Sequence, residues 1–260
     1  MSPLWIEHSA WLAGNKLTLA SQPRLQKADK QWLSQDIDSQ SAALSLQQLL
    51  AARPASSIST LNVLLSGDWV RYGVLPWQDG LYQPDDWQAY ARLIFAQQFG
   101  SNSDGWRMCI NPAGFGQSRL ACAMDESIYQ IVLELAKNNK TRLQSVQPLL
   151  SSVIAQYHRQ LIATEFALVV TENDSLCCAF WQNEAWQGVI SLPINQDSEA
   201  LHDGGMAALL RQAAMLAQVS LPTQIYISSS AHSLARLSLL GCEVAYLGTV
   251  HPLFTEWASA

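Results

Sequence analysis

The chain has 260 residues, 49% of them hydrophobic, enough to bury one large domain or two smaller lobes and too many for a disordered chain. Charged residues make up only 14%, the net charge is -6 and no basic run occurs, which sets aside sequence-independent binding to nucleic acid. No stretch approaches the about 18 consecutive apolar residues of a spanning helix, and the opening MSPLWIEHSAWLAG carries Glu7 and no basic segment, unlike a signal peptide.

In chain order, residues 4–20 read as a strand, the turn LAGNK and a second strand. Residues 21–40 are polar without a clear period and read as a loop with one helical turn. Leu44, Leu46, Leu49 and Leu50 share one helical face in 41–53. LNVLLS and WVRYGVLPW read as strands joined in a hairpin by Gly67-Asp68. Pro84, Asp85 and Asp86 open a helix with Trp87, Tyr90, Ile94 and Phe95 at helical spacing, and Gly100 closes it. Alternation along WVRYGVLPW puts Val70 and Tyr72 on one face, with Arg71 on the solvent side or paired with an acid.

WRMCI is a strand, NPAGFGQS a loop and RLACAM a further strand. Asp125 caps the helix ESIYQIVLELAKNN, and the strand RLQSV leads through Pro148 into a helix ending near Leu161. Three strands fill 166–194; Ala167, Val169 and Val170 belong to a short apolar run suited to a strand covered on both faces. A helix over about 198–218, the strand TQIYISS, a short helix AHSLARLSLL and the strand CEVAYLG complete a β-β-β-α-β-α-β order. Each half begins with a hairpin of strands and ends in alternating strands and helices.

Chemistry-bearing motifs are sparse. GFGQS, from Gly114 to Ser118, does not match the Gly-x-Ser-x-Gly elbow and reads as loop punctuation. His8, His158, His202, His232 and His251 lack paired metal spacing. HDGG, from His202 to Gly205, reads as a helix start with Asp203 as cap. Cys109, Cys122, Cys177, Cys178 and Cys242 show no paired spacing, which fits reduced, mostly buried thiols. A surface so poor in charge, with 10 tryptophans, is expected to be partly covered by a partner.

The element order, with its hairpins at 166–194, resembles the C-terminal half of the actin-like ATPase fold, and in particular the type IV pilus-assembly PilM proteins and the cytoplasmic domain of type II secretion GspL proteins. LNVLLSGDWVRYGVLPW is similar to their strand pair ending in Leu-Pro, and RLACAMDESIYQIVLELAKNN with RLQSVQPLL to their strand–helix–strand leading into Pro. The chain also resembles bacterial proteins of that group that carry VRY…PW and VQP segments. The resemblance implies a mixed α/β, two-lobed, actin-like and ribonuclease H-like fold, each lobe a mixed sheet with helices. Lobe 1–163 would contain an inserted strand–helix–strand segment at about 61–110, and 164–260 would be the C-terminal ribonuclease H-like lobe.

In those families a strand ending in Asp-Ile-Gly turns into a hairpin at the phosphates. The resemblance puts Glu7, His8 and Ser9 at the first such place and Thr171, Glu172 and Asn173 at the second. Ser228, Ser229 and Ser230 fall at the adenosine turn, where the families carry small residues or Gly-Gly. A phosphate hairpin needs Gly for close backbone approach and Asp to organise Mg²⁺, so the resemblance implies a degenerate cleft with no cofactor, no metal and no catalytic residue. It implies a cytoplasmic scaffold that docks to a membrane-anchored assembly protein and sits at the inner membrane only through it. Two other readings are a weak ATPase or sugar-kinase-like enzyme using Glu7, Glu172 or Asp174 on Mg²⁺, and a small-ligand binder in the inter-lobe cleft.

Overall fold

The structure, a computed structural model, describes residues 5–24, 31–37, 41–52, 58–100, 105–172, 175–194, 203–229 and 241–250. Its elements in chain order are β1 (Trp5–Leu12), β2 (Lys16–Pro23), β3 (Gln31–Asp36), α1 (Ala42–Ala51), β4 (Ile58–Leu65), β5 (Arg71–Leu75), α2 (Pro84–Phe99), β6 (Trp106–Ile110), β7 (Arg119–Asp125), α3 (Glu126–Asn138), β8 (Arg142–Pro148), α4 (Leu149–Tyr157), β9 (Phe166–Thr171), β10 (Ser175–Gln182), β11 (Ala185–Pro193), α5 (Asp203–Ala217), β12 (Gln224–Ser229) and β13 (Glu243–Gly248). The chain divides into two compact units, Met1–Val70 with Asp125–Ser152, and Arg71–Met124 with Val153–Ala260. Among the described residues no helix is long and apolar enough to cross a membrane.

The first unit is built on a sheet of order β3-β2-β1-β4-β8. β1 and β2 form a hairpin that ends at Leu12 opposite Leu17, and β4 and β8 join in parallel. α1 packs against β2 and α3, and α3 against β8. Asp125 caps α3 as expected, accepting from the Ser127 amide at 2.8 Å. Two expectations are corrected here. Residues 31–36, read as loop, form edge strand β3 paired with β2; its sequence QWLSQD has too little apolar alternation to announce a strand. LNVLLS and WVRYGVLPW are not a hairpin. Ser66 to Trp69 do make a turn, closed by the Trp69 amide on the Ser66 carbonyl at 3.1 Å. However, β4 already has β1 on one edge and β8 on the other, so β5 joins a different sheet.

The second unit holds a sheet of order β11-β10-β9-β12-β13 and a three-stranded antiparallel sheet of order β5-β7-β6. β9 is central, antiparallel to β10 and parallel to β12, and buried along its whole length, Ala167, Val169 and Val170 included. One face of the sheet packs Ala167, Val169, Cys178, Phe180 and Ile227 with Met206, Leu210 and Ala213 of α5. On the other sheet, α2 lays Trp87, Ala91 and Phe95 over Leu75, Ala121 and Ala123, with Tyr90 and Ile94 at the margin. Arg71 is exposed between buried Val70 and Tyr72. Gly100 ends α2 at φ +96, a positive φ that suits glycine. The expected helix start at 198–202 and the helix 231–240 lie outside the described residues.

Gly248 carries a backbone demand. Its φ is +129, and a Cβ there would meet the Tyr157 hydroxyl at 2.6 Å. That hydroxyl donates to the Thr249 carbonyl at 2.8 Å. Gly248→Ala is therefore expected to cost about 1–3 kcal/mol through strain and displacement of Tyr157, read as a lower urea midpoint with an unchanged m-value. A midpoint equal to that of the parent protein contradicts it.

Candidate functional site

The described residues among the expected cleft positions fall into two groups, one in each unit. In the first unit, Glu7, His8 and Ser9 sit inside β1. Glu7 is opposite Gln22 of β2, five positions before the last strand residue, Leu12. At about 3.4 Å per residue that is roughly 17 Å along the strand from the turn, so these three residues do not reach the hairpin tip.

Glu7 is instead wired across the sheet. One carboxylate oxygen accepts from Arg24 Nε at 2.8 Å and the other from Asn62 Nδ2 at 2.9 Å. Asn62 Oδ1 in turn accepts from Ser145 Oγ at 2.8 Å. The hydrogen bond and charge of Glu7 push the Arg24 guanidinium up, and the Arg24 guanidinium also lies over the Trp5 ring. On the other face of β1, buried His8 shares a hydrogen bond of 2.6 Å between Nδ1 and Ser21 Oγ. Ser9 is buried. Asn62 was legible as the one polar residue in the apolar run LNVLL, since an amide half-buried among apolar neighbours needs partners at both ends. Nothing in the sequence marked Arg24 or Ser145.

In the second unit, Thr171, Glu172, Ser228 and Ser229 do come together. β9, β12 and β13 run parallel, and these residues stand at or next to the C-terminal ends of β9 and β12, where sheets of α/β proteins commonly take ligands. Thr171 Oγ1 donates to Ser229 Oγ at 2.7 Å, and Ser228 Oγ donates to the Gly248 carbonyl at 3.2 Å. The Glu172 amide donates to the Ser175 carbonyl at 2.9 Å, starting the turn into β10, and the Glu172 side chain is buried. Burial pushes the nearby Cys177 thiol up to about 12; a hydrogen bond with Ser191 opposes this and the Glu172 charge adds to it. Asn173, Asp174 and Ser230 lie outside the described residues. Among the described residues no group of three or more His, Cys, Asp and Glu side chains is placed to hold a metal ion.

The GFGQS loop closes against its own unit. Ser118 Oγ donates to the Trp186 carbonyl, and Gln117 Oε1 accepts from the Gly114 amide at 2.9 Å. Beside them lies a cavity of about 320 Å³ lined by residues that include Asn111, Gln117, Trp181, Glu184 and Trp186. The two tryptophans meet edge to face, with ring centroids 5.1 Å apart.

An antiparallel three-stranded meander continued by parallel strands, found once in each unit, defines the chain as a protein of the actin-like ATPase fold. Among solved structures it is similar to the cytoplasmic domain of EpsL, an inner-membrane component of the type II secretion system of Vibrio cholerae, at TM-score 0.60 and 10% identity over 98% of this chain and 94% of that one. It is equally similar to a chain of the PilM–PilN type IV pilus biogenesis complex, at TM-score 0.60 and 12% identity over 93% and 88% of the two chains. A third likeness is an actin-like ATPase-fold protein of unknown function from Bacteroides thetaiotaomicron, at TM-score 0.56 and 10% identity over 87% and 82%. At such identities the shared property is the fold. No family model matches the chain, and no curated protein matches it.

Proposed function

We propose that this chain is a non-catalytic assembly component, an actin-like scaffold that has given up nucleotide hydrolysis and binds a protein partner of a pilus- or secretion-like system. A membrane-anchored partner would hold it at the cytoplasmic side of the inner membrane. The observation that carries the reading is the place of Glu7, mid-strand and away from the hairpin tip. Both of its oxygens are taken, by Arg24 and by Asn62, and a divalent cation such as Mg²⁺, which dehydrates reluctantly, gains little from a carboxylate already neutralised by a guanidinium. At the second cluster every position carries a Cβ, and Thr171 and Ser229 hydrogen-bond to each other, which works against the close backbone approach that phosphates require. The likeness to EpsL and to the PilM–PilN complex supports the choice of system.

A second reading, a weak ATPase or small-ligand binder, is favoured by one feature, the buried Glu172 carboxylate at the strand ends. Isothermal titration with near-millimolar Mg-ATP, run beside a phosphate-release assay, separates the two. The scaffold reading expects no binding heat, no phosphate, and none of the about 2.7 kcal/mol of stabilisation that ligand at 100 times its dissociation constant would add. Micromolar binding or turnover lost in Glu7→Ala would overturn it and restore a cation site at Glu7. The same loss in Glu172→Gln, with Glu7→Ala unaffected, would establish the second reading.

A further inference from the structure

Two cysteines thirteen positions apart in the chain are neighbours in the second unit. β6 and β7 are adjacent in their antiparallel sheet, and the Asn111 amide donates to the Leu120 carbonyl at 2.8 Å. In an antiparallel pair each step back along one strand matches a step forward along the other. Two such steps bring Cys109 opposite Cys122. Residues directly opposite share a face, and here the alternate residues Trp106, Met108, Ile110, Ala121 and Ala123 all turn toward α2. The two thiols therefore share the face away from α2. Directly opposed residues have Cα atoms about 4.5–5.5 Å apart, inside the span of about 4.4–6.8 Å that a disulfide bridges.

We propose that Cys109 and Cys122 are a reversible redox pair, Cys109 the attacking thiol and Cys122 the resolving one, that exchanges with small disulfides of the glutathione type and closes into a cross-strand disulfide. Cys109 is exposed while Cys122 is buried beside it, so a small disulfide reaches the first and not the second. Hydrogen bonding from Cys122 holds the Cys109 thiol low, at about 6, and the same shared proton pushes Cys122 up. The other cysteines are poorly placed to compete. Burial pushes Cys177 and Cys178 up, keeping them protonated, and the half-buried Cys242 thiol is directed to the Pro222 carbonyl at 3.9 Å.

The exchange balances in two steps. The Cys109 thiolate attacks one sulfur of oxidised glutathione, forming a mixed disulfide as the glutathione S–S bond breaks and one glutathione thiolate leaves. Cys122 then gives up its proton to water and attacks the Cys109 sulfur, forming the intramolecular bond and releasing the second glutathione thiolate. Two electrons pass from the protein thiols to oxidised glutathione, which becomes two molecules of reduced glutathione; excess reduced glutathione runs the sequence backward.

The test equilibrates the whole protein in mixtures of reduced and oxidised glutathione, traps free thiols with iodoacetamide and maps the digested peptides by mass spectrometry. A peptide pair joined through Cys109 and Cys122 is expected, with Cys177, Cys178 and Cys242 alkylated once the protein is denatured. Cys122→Ala should instead accumulate glutathione on Cys109. In the reduced protein the iodoacetamide rate at Cys109 should be half-maximal near pH 6, and Cys122→Ala should move it toward the ordinary thiol range. A glutathione adduct that persists on Cys109 of the unaltered protein, a disulfide from Cys109 to another cysteine, or a Cys109 profile already in the ordinary range overturns the proposal.

Discussion

Val169→Asp is expected to abolish folding of the second unit. Val169 lies midway along β9, opposite Cys178 of β10 and Ile227 of β12, and all three are 0% exposed. Met206 and Leu210 of α5 close the same apolar cluster. That cluster contains no cationic side chain among the described residues, so an aspartate there is either an uncompensated buried ion or a protonated acid without hydrogen-bond partners. Either form costs several kcal/mol, a large share of the about 5–15 kcal/mol that holds a domain together. Val169→Ala is the graded control and should cost only about 2 kcal/mol. Far-UV circular dichroism with urea titration reads both; a soluble Val169→Asp variant with the cooperative transition of the parent protein contradicts the expectation.

Trp87→Ala is expected to destabilise the α2 face by about 3–5 kcal/mol. The indole is 2% exposed. Its Nε1 donates to the Leu81 carbonyl at 2.8 Å, Trp77 and Tyr90 stand with ring centroids 5.9 and 6.0 Å away, and the Arg119 guanidinium carbon sits 4.0 Å over the ring. Truncation removes the apolar volume, the hydrogen bond and a cation–π contact worth about 0.5–2 kcal/mol in one step. Trp87→Phe keeps a ring under Arg119 and drops the Nε1 donor, so it should lose much less. A Trp87→Ala variant within about 1 kcal/mol of the parent protein by urea unfolding would show that this face is not packed as described.

What the sequence disclosed followed from strong local patterns. FALVVT is apolar at all but its last position and became the central strand β9; Asp125 before an acid-first, lysine-last helix became a side-chain cap. Pairing partners were harder. Gly67-Asp68 has the chemistry of a hairpin turn and does form a turn, but the two edges of β4 are taken by β1 and by β8, whose paired residues lie more than eighty positions away. β3 is a polar edge strand whose residues face water on too many sides to alternate.

At the candidate site, Thr171, Glu172, Ser228 and Ser229 stand together because two parallel strands end there, whereas the sequence offered them only through the resemblance. Glu7 misled because the fold's phosphate motif sits at a hairpin tip, whereas here the tip is Ala13-Gly14-Asn15 and the acid is mid-strand. Cys109 and Cys122 carried a signal that chain spacing hid. Each lies two positions outside the Asn111–Leu120 bond that closes NPAGFGQS, so symmetry about the loop, not distance in the chain, pairs them.

The interleaving of the units governs the order in which they are completed during synthesis. The first unit needs Asp125–Ser152 as well as Met1–Val70, and the second begins at Arg71 but takes most of its residues from Val153 onward. A nascent chain emerging from the ribosome therefore holds the β5-β7-β6 sheet before either five-stranded sheet is complete. β8 must reach the edge of β4 to finish the first sheet, and only later do β9 to β13 supply the second. Exposed strand edges on a half-made chain are where association with other chains starts, and β4 keeps one such edge open until β8 has been made.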